Sequence, residues 1–391
     1  MSILSAKHDR VLAALESREP DQVPVFDLLL EYTTNNAILG KRPHPLHRMA
    51  ADERISKVLD LVLPHIKSFS LLDMEMERFL HLGADAAVSM GYDAAWLTYF
   101  PVLRFADSRT MIDMYGRLSD VALDESGNLG NPTYREGLIT GADAWRAWDK
   151  RPLLKLPAKV NAAFARVLKK YGDELFIFGF CSYGLFENTW QPLGFERFVV
   201  AARKEREFLQ RMIGFHTDLY CALVEAMADA GLPAMVYTDD LAYRSGPMLN
   251  PRLIEELFGD SYRRIVETAH AQGMKIIVHS CGDTTNLLKW FADCGFDGVH
   301  PLEPTAGVDL AAAKEMVGGR MCLVGNIDIT HILVDASREE VFEAVRQAIH
   351  DAGQGGGYML APDHSHPKVS VERLRWMVEA AHEYGRYPLQ V

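Results

Sequence analysis

His279 and Cys281 stand two residues apart at the end of the β-branched run Lys275-Ile276-Ile277-Val278, with Asp283 just beyond. On an extended strand, residues i and i+2 face the same way, so the imidazole and the thiol project together. His-x-Cys is a two-ligand half-site for Zn²⁺, which accepts imidazole and thiolate and in catalytic sites takes a third protein ligand. That third ligand must come from another strand, and His364 is the best candidate. An apolar strand that stops at ligand-type residues is how an α/β barrel presents chemistry at its C-terminal rim.

The elements that would position these residues follow from the chain in order. Residues 5 to 18 carry Val11, Leu12 and Leu15 on one helical face, and Arg18-Glu19-Pro20-Asp21 ends that helix before a first strand, Val23-Pro24-Val25-Phe26-Asp27. Helical patterning over 52 to 63 and 74 to 82 precedes a second strand within the stretch from Ala86-Ala87-Val88 to Ala95-Trp96-Leu97-Thr98-Tyr99. From about 101 to 150 the pattern changes. Short strands around Asp124-Glu125-Ser126-Gly127-Asn128 predict a β-hairpin excursion. After Pro152, helices at 158–170, 194–230, 250–272, 284–293, 309–317 and 337–352 alternate with strands that end near Phe180, Asp240, His279, Glu303, Asp328 and His364. Eight βα units in one chain of 391 residues predict a single (β/α)8 TIM-like barrel domain over 1–391, with an N-terminal helical extension and the hairpin excursion. A doubly wound sheet is the alternative, but no Gly-x-Gly-x-x-Gly follows any strand, and Gly353-Gln354-Gly355-Gly356-Gly357 precedes one and reads as a helix stop.

In a barrel all the strand ends meet at one mouth. They supply Asp27, Tyr99, Cys181 with Tyr183, Asp239 with Asp240, His279 with Cys281, His300 with Glu303, Asn326 with Asp328, and His364 with His366. Each also has a plainer reading. A strand-end aspartate more often caps the next helix, which suits Asp283 ahead of Thr284 and Thr285. Cys221 and Cys322 read as packing, Cys294 before Gly295 as a partly buried loop residue, and His300 before Pro301 equally as a core histidine and as a site residue.

Composition narrows the partners. Forty-one basic against 53 acidic residues give a net charge of -12, with no basic run dense enough to follow a phosphate backbone. This argues against nucleic acid as a partner. No segment approaches the roughly 18 apolar residues of a membrane span, and the first ten residues lack the apolar core of a secretory signal. Five scattered cysteines suit a reducing compartment, so a cytoplasmic protein is expected.

Four segments together resemble the uroporphyrinogen decarboxylase superfamily, which includes porphyrinogen decarboxylases and cobalamin-dependent methyltransferases. They are Arg10-Val11-Leu12-Ala13-Ala14-Leu15 with Val23-Pro24-Val25-Phe26, His279-Ser280-Cys281-Gly282-Asp283, Gly325-Asn326-Ile327-Asp328, and Gly357-Tyr358-Met359-Leu360-Ala361-Pro362. The resemblance covers most of the chain and implies a distorted (β/α)8 barrel. The haem-pathway decarboxylases place arginines after the first strand, where this chain has Asp27-Leu28-Leu29-Leu30-Glu31-Tyr32. Their catalytic aspartate follows the second strand, and Asp93 is near without aligning cleanly. A poly-carboxylate would meet acid and leucine, at several kcal/mol (roughly 3 to 5) for unpaired buried carboxylates.

The methyltransferases bind zinc through His-x-Cys and a later cysteine after Ala-Pro-Gly; here the segment reads Ala361-Pro362-Asp363-His364, with histidine in the cysteine's place. The decarboxylases also carry histidine there. A dication with one thiolate keeps a positive charge that two thiolates would cancel, which favours polarising an oxygen, as in a methyl ether, over activating a soft thiol. The resemblance therefore implies a zinc site of His279, Cys281 and His364 and methyl transfer between a small substrate, by O-demethylation if an ether, and a corrinoid (cobalamin) on a partner protein. Asp239 and Asp240 are expected as general acid, general base or supports for a ligating histidine, and Glu303 as a fourth ligand or proton relay. Asp27, Tyr99, Tyr183, Tyr237, Arg244 and Asn326 are expected to contact substrate, and with Trp96, Phe186, Trp190 and Tyr243 the aromatics would suit a flat ring. Two alternatives stay open. One is a metal-free decarboxylase of a porphyrinogen-like or smaller acid using Tyr183, Arg244 and His364; the other is a non-catalytic tetrapyrrole or corrinoid binder. The resemblance implies a monomer or a homodimer.

Overall fold

The structure, a computed structural model, describes residues 3–45, 47, 52–63, 69–124 and 127–390. Eight short strands form one parallel sheet: β1 (Phe26–Asp27), β2 (Ala94–Thr98), β3 (Phe176–Phe180), β4 (Ala234–Thr238), β5 (Lys275–His279), β6 (Gly298–His300), β7 (Cys322–Ile327) and β8 (Tyr358–Pro362). Each pairs with the next in sequence order. The Leu360 N–H donates to the Pro24 carbonyl (2.9 Å), and Val25 bridges Leu360 in parallel, so β8 returns to β1 and closes the barrel. Single helices or pairs fill most crossovers, as a parallel sheet requires.

Because the strands are covered on both faces, they read as continuous apolar runs, and alternation decides which side each residue serves. Phe26, Trp96, Phe178, Val236, Ile277, Val324 and Met359 fill the barrel interior. Their neighbours Leu97, Ile177, Tyr237, Ile276, Val278, Leu323 and Leu360 pack outward against the helices.

Three expectations change. Ala86–Val88 is helical, the last turn of a helix from Phe69 to Met90, so the second strand is confined to β2. Small and apolar residues alone do not separate a buried helix end from a buried strand. The region 194–230 is two helices, Phe195–Lys204 and Arg206–Asp229, and a further helix, Leu185–Leu193, precedes them. The expected hairpin is a four-stranded antiparallel sheet of Val102–Asp107, Thr110–Asp113, Arg117–Asp120 and Thr133–Gly137; two of its predicted turn residues, Glu125 and Ser126, lie outside the described residues. Asp113 builds its tight turn, accepting from the N–H groups of Tyr115, Gly116 and Arg117, each at 2.9 Å. The sheet docks at the mouth, where the Tyr134 hydroxyl donates to the Gln191 carbonyl (2.9 Å) and the Ser182 hydroxyl to that of Tyr115 (2.7 Å).

The glycine run does stop the helix Arg338–Ala352. It is also needed for close approach: a Cβ on Gly356 would sit 2.3 Å from the Arg18 carbonyl carbon. All five cysteines are free; Cys221 and Cys322 are buried as expected, while Cys294, expected in a loop and partly buried, is buried at the end of the helix Leu288–Cys294. Among the described residues no helix is long and apolar enough to cross a membrane.

Candidate metal centre

β5 delivers His279 into the mouth, and Cys281 follows with the same facing. The His279 Nδ1 lies 2.7 Å from His300 Nδ1 on β6, and His300 Nε2 lies 3.1 Å from the Pro362 carbonyl oxygen at the end of β8. A carbonyl only accepts, so His300 Nε2 carries a hydrogen. Burial holds both imidazoles well below their usual pKa, hence neutral, and His300 Nδ1 is therefore the bare nitrogen. It takes the His279 Nδ1 hydrogen, which leaves the lone pair of His279 on Nε2, 3.3 Å from Cys281 Sγ. Three strands thus fix the tautomer of one ring. His300→Leu should weaken zinc binding about 10- to 100-fold, measured by competition with a chromophoric chelator. His300→Asn, which can accept from His279 and donate to Pro362, should recover most of that loss; equal losses would sink the relay.

A ring nitrogen of His364 completes a trio whose ligand atoms all lie within 4.8 Å of one another. The His279–Cys281 spacing is close to the ~3.5 Å that bonds of about 2.1 and 2.3 Å span at a tetrahedral angle. Gly282 makes the turn beyond the thiol at a φ of 85°, where a Cβ would meet the Tyr243 carbonyl at 2.8 Å. Carboxylates ring the trio. Asp240 Oδ1 accepts the Cys281 N–H (2.9 Å) and lies 3.8 Å from His279 Nε2, while Glu303 accepts from the Gly282 N–H (2.8 Å) and the Thr305 hydroxyl (3.0 Å). Glu187, buried, accepts from Gln191 Nε2 (2.7 Å) and the Asp240 N–H (3.2 Å). Burial, then Asp240, Glu303 and Glu187, push the Cys281 thiol well above its usual pKa. A thiolate is stable there only beside a cation, so donor set and field together fit a metal ion.

Residues 120–384 match the uroporphyrinogen decarboxylase (URO-D) family model. The chain belongs to the uroporphyrinogen decarboxylase family. Among its curated relatives, the methylcobamide:CoM methyltransferase MtaA of Methanosarcina barkeri is 25% identical over 182 residues, 46% of this chain and 50% of that protein. MtbA of Methanosarcina acetivorans, of the same description, is 26% identical over 217 residues, 55% and 60% of the two chains. A uroporphyrinogen decarboxylase of Idiomarina loihiensis is 30% identical over 143 residues, 36% and 39%. The chain spans about half the length of the curated relatives it matches. A solved methyltransferase from Methanosarcina mazei shares the fold, with a TM-score of 0.68 at 19% identity over 97% of this chain and 98% of that one. Within the uroporphyrinogen decarboxylase superfamily the chain stands near the methyltransferase branch.

The remaining expected residues divide by strand facing. Asp239 and Tyr237 point outward from β4. Fully buried, Asp239 accepts from the Phe186 and Glu187 N–H groups (both 2.9 Å) and from the Tyr237 and Tyr262 hydroxyls, so it anchors the helix Leu185–Leu193 and is not a free acid or base. The Tyr237 hydroxyl also accepts the Leu185 N–H (2.9 Å), and Tyr99, 2% exposed, donates to Asp73 (2.8 Å) behind the barrel. Neither tyrosine reaches the mouth. Arg244 is exposed above the rim and donates to the Thr305 carbonyl, which provides no carboxylate clamp. Asn326 lies at the β7 end with its Nδ2 on the Leu302 carbonyl (3.1 Å), and Tyr183 lies at the mouth beneath Arg117. Glu303 stands beside the trio, engaged with backbone and Thr305 rather than grouped with the ligands.

Asp27 borders a small cleft with His364 and Glu31, but both of its oxygens are engaged, one by the Leu28 N–H (2.7 Å) and one by the Tyr92 hydroxyl (2.9 Å). Burial raises its pKa to about 6. A raised carboxyl pKa means that the folded chain holds a proton the unfolded chain has already lost. Stability from this group is therefore full below about pH 4 and falls by about 3 kcal/mol as pH climbs through about 6. Asp27→Asn should flatten that slope in urea unfolding measured across pH.

Glu187 was missed by sequence. A glutamate in the first turn of a helix reads as a solvated charge, and nothing local shows that tertiary packing buries it.

Proposed function

We propose that the chain is a zinc-dependent methyltransferase of the cytoplasm, a single barrel domain that moves a methyl group between a small methylated substrate and a corrinoid carried by a partner protein. The convergence of His279 Nε2, Cys281 Sγ and a His364 nitrogen within 4.8 Å carries this reading. The names of two relatives, both methylcobamide:CoM methyltransferases, support the corrinoid side.

His279, Cys281 and His364 would hold the ion, and zinc bound there supplies Lewis acidity toward a substrate heteroatom. With a single thiolate in the set, an oxygen such as that of a methyl ether is the better match, so O-demethylation is the favoured direction. Asp240 is the chain's own proton carrier: burial raises its carboxyl pKa, and its oxygen stands 3.8 Å from His279 Nε2. Glu187, whose carboxyl is pushed well above its usual range by burial and then by Asp240 and Asp239, stands behind it and accepts the Asp240 N–H (3.2 Å). Trp96, packed edge-on to His279 at 5.2 Å between ring centroids, floors the site and keeps water from below.

The test combines metal analysis of the purified protein with methyl transfer from a methyl ether to cob(I)alamin, read as methylcobalamin formed, before and after chelation. About one zinc per chain and a rate that chelation removes and zinc restores are expected. The reading fails if no stoichiometric metal is present and activity survives the chelator.

A further inference from the structure

Between the four-stranded sheet and the barrel mouth lies a cleft, open to solvent, that none of His279, Cys281 and His364 lines. Arg117 lines it, 3% exposed. Its Nε is bonded to Asp113 and its Nη1 to Gln191 Oε1 (2.9 Å), while Nη2 has no hydrogen-bond partner among the described residues. The guanidinium lies over the ring of Tyr183, 4.5 Å from its centroid. The hydroxyls of Ser119 and Tyr183 line the same space, and neither bonds to another described residue. Phe100, Val102 and Pro132 supply apolar walls. Asp113 lines the pocket too, but one of its oxygens is taken by the Tyr115, Gly116 and Arg117 N–H groups and the other by Arg117 Nε, so the spare guanidinium N–H, two idle hydroxyls and apolar sides remain for a small ligand that carries one anionic head on a flat body.

We propose that this pocket binds a small planar carboxylic acid, its carboxylate on Arg117 Nη2 and the hydroxyls of Ser119 and Tyr183, its ring between Phe100 and Pro132. The pocket is wired to the trio. Arg117 donates to Gln191, Gln191 to Glu187, the Asp240 N–H to Glu187, and the Cys281 N–H to Asp240. That the acid is the methyl-bearing substrate rests on the methyl-transfer reading; that the pocket takes it does not.

Binding of benzoate and of benzamide, its uncharged isostere, can be measured by calorimetry on the full chain with and without chelator. Benzoate should bind about tenfold or more tightly than benzamide, with or without metal. Arg117→Lys should weaken benzoate about tenfold and leave benzamide within about twofold, because the fork is lost and the charge kept. Ser119→Leu should fill the pocket and abolish both. Cys281→Ser should remove metal and change neither, so a failed metal site and a failed acid site give different results. Equal affinities for the two probes, or benzoate binding undiminished in Ser119→Leu, would overturn the proposal. If Arg117→Lys does not fold, the probe ratio on the native chain and Ser119→Leu still decide.

Discussion

Cys281→Ala should leave the protein folded and bring bound zinc from about one per chain to near nil, with methyl transfer down at least about 1,000-fold. The thiol is the one soft, anionic member of the trio, and the remaining imidazoles, one of them tied to His300, make only a neutral pair. Folding should be spared because the thiol stabilises little by itself. It is held protonated by burial and by three nearby carboxyl groups, and its side-chain neighbour is the bare His279 Nε2. The melting temperature of the metal-free variant should therefore stay within about 1 °C of metal-free wild type, equivalent to under about 1 kcal/mol for a chain this long. Metal analysis, the methylcobalamin assay and a thermal melt read the three quantities. A variant that keeps its zinc, or loses less than about tenfold in rate, removes Cys281 from the site.

Asp239→Ala should have the largest effect on stability, about 3 to 5 kcal/mol in urea unfolding, although the residue beside it, Asp240, should tolerate Asn with almost none. Asp239 is fully buried and takes four hydrogen bonds, two from the first turn of the helix Leu185–Leu193 and two from tyrosine hydroxyls. Truncation strands those donors at about 1 to 3 kcal/mol each, partly offset by relief of an expensive carboxyl whose pKa burial lifts to about 7. Because that helix carries Glu187 and Gln191, activity should fall with stability. Asp240→Asn should do the reverse, keeping the fold and lowering the rate. If the two substitutions behave alike, the division of β4 into an outward and an inward carboxylate is wrong.

The chain's own letters determined a good deal. Eight apolar runs with polar ends, alternating with helices, specify a parallel barrel, because short apolar runs separated by helical spacers have few other ways to bury themselves. His279 and Cys281 were legible as a pair because two positions on one strand share a face whatever the fold, and His364 because it ends another such run. The motifs carried the family as well. What only tertiary structure decided was facing. Tyr99, Tyr237 and Asp239 sit at strand ends just as Thr98, Thr238 and Asp240 do, and only the closed barrel puts the first set behind the wall. In a strand buried on both sides the two faces are equally apolar, so sequence shows that residues alternate without showing which of them look inward. The same limit hid His300's grip on His279, the burial of Glu187, and the placement of Arg117 at the mouth by a sheet that read as a hairpin. Each depends on contacts between segments tens of residues apart, and local pattern carries no information about such contacts.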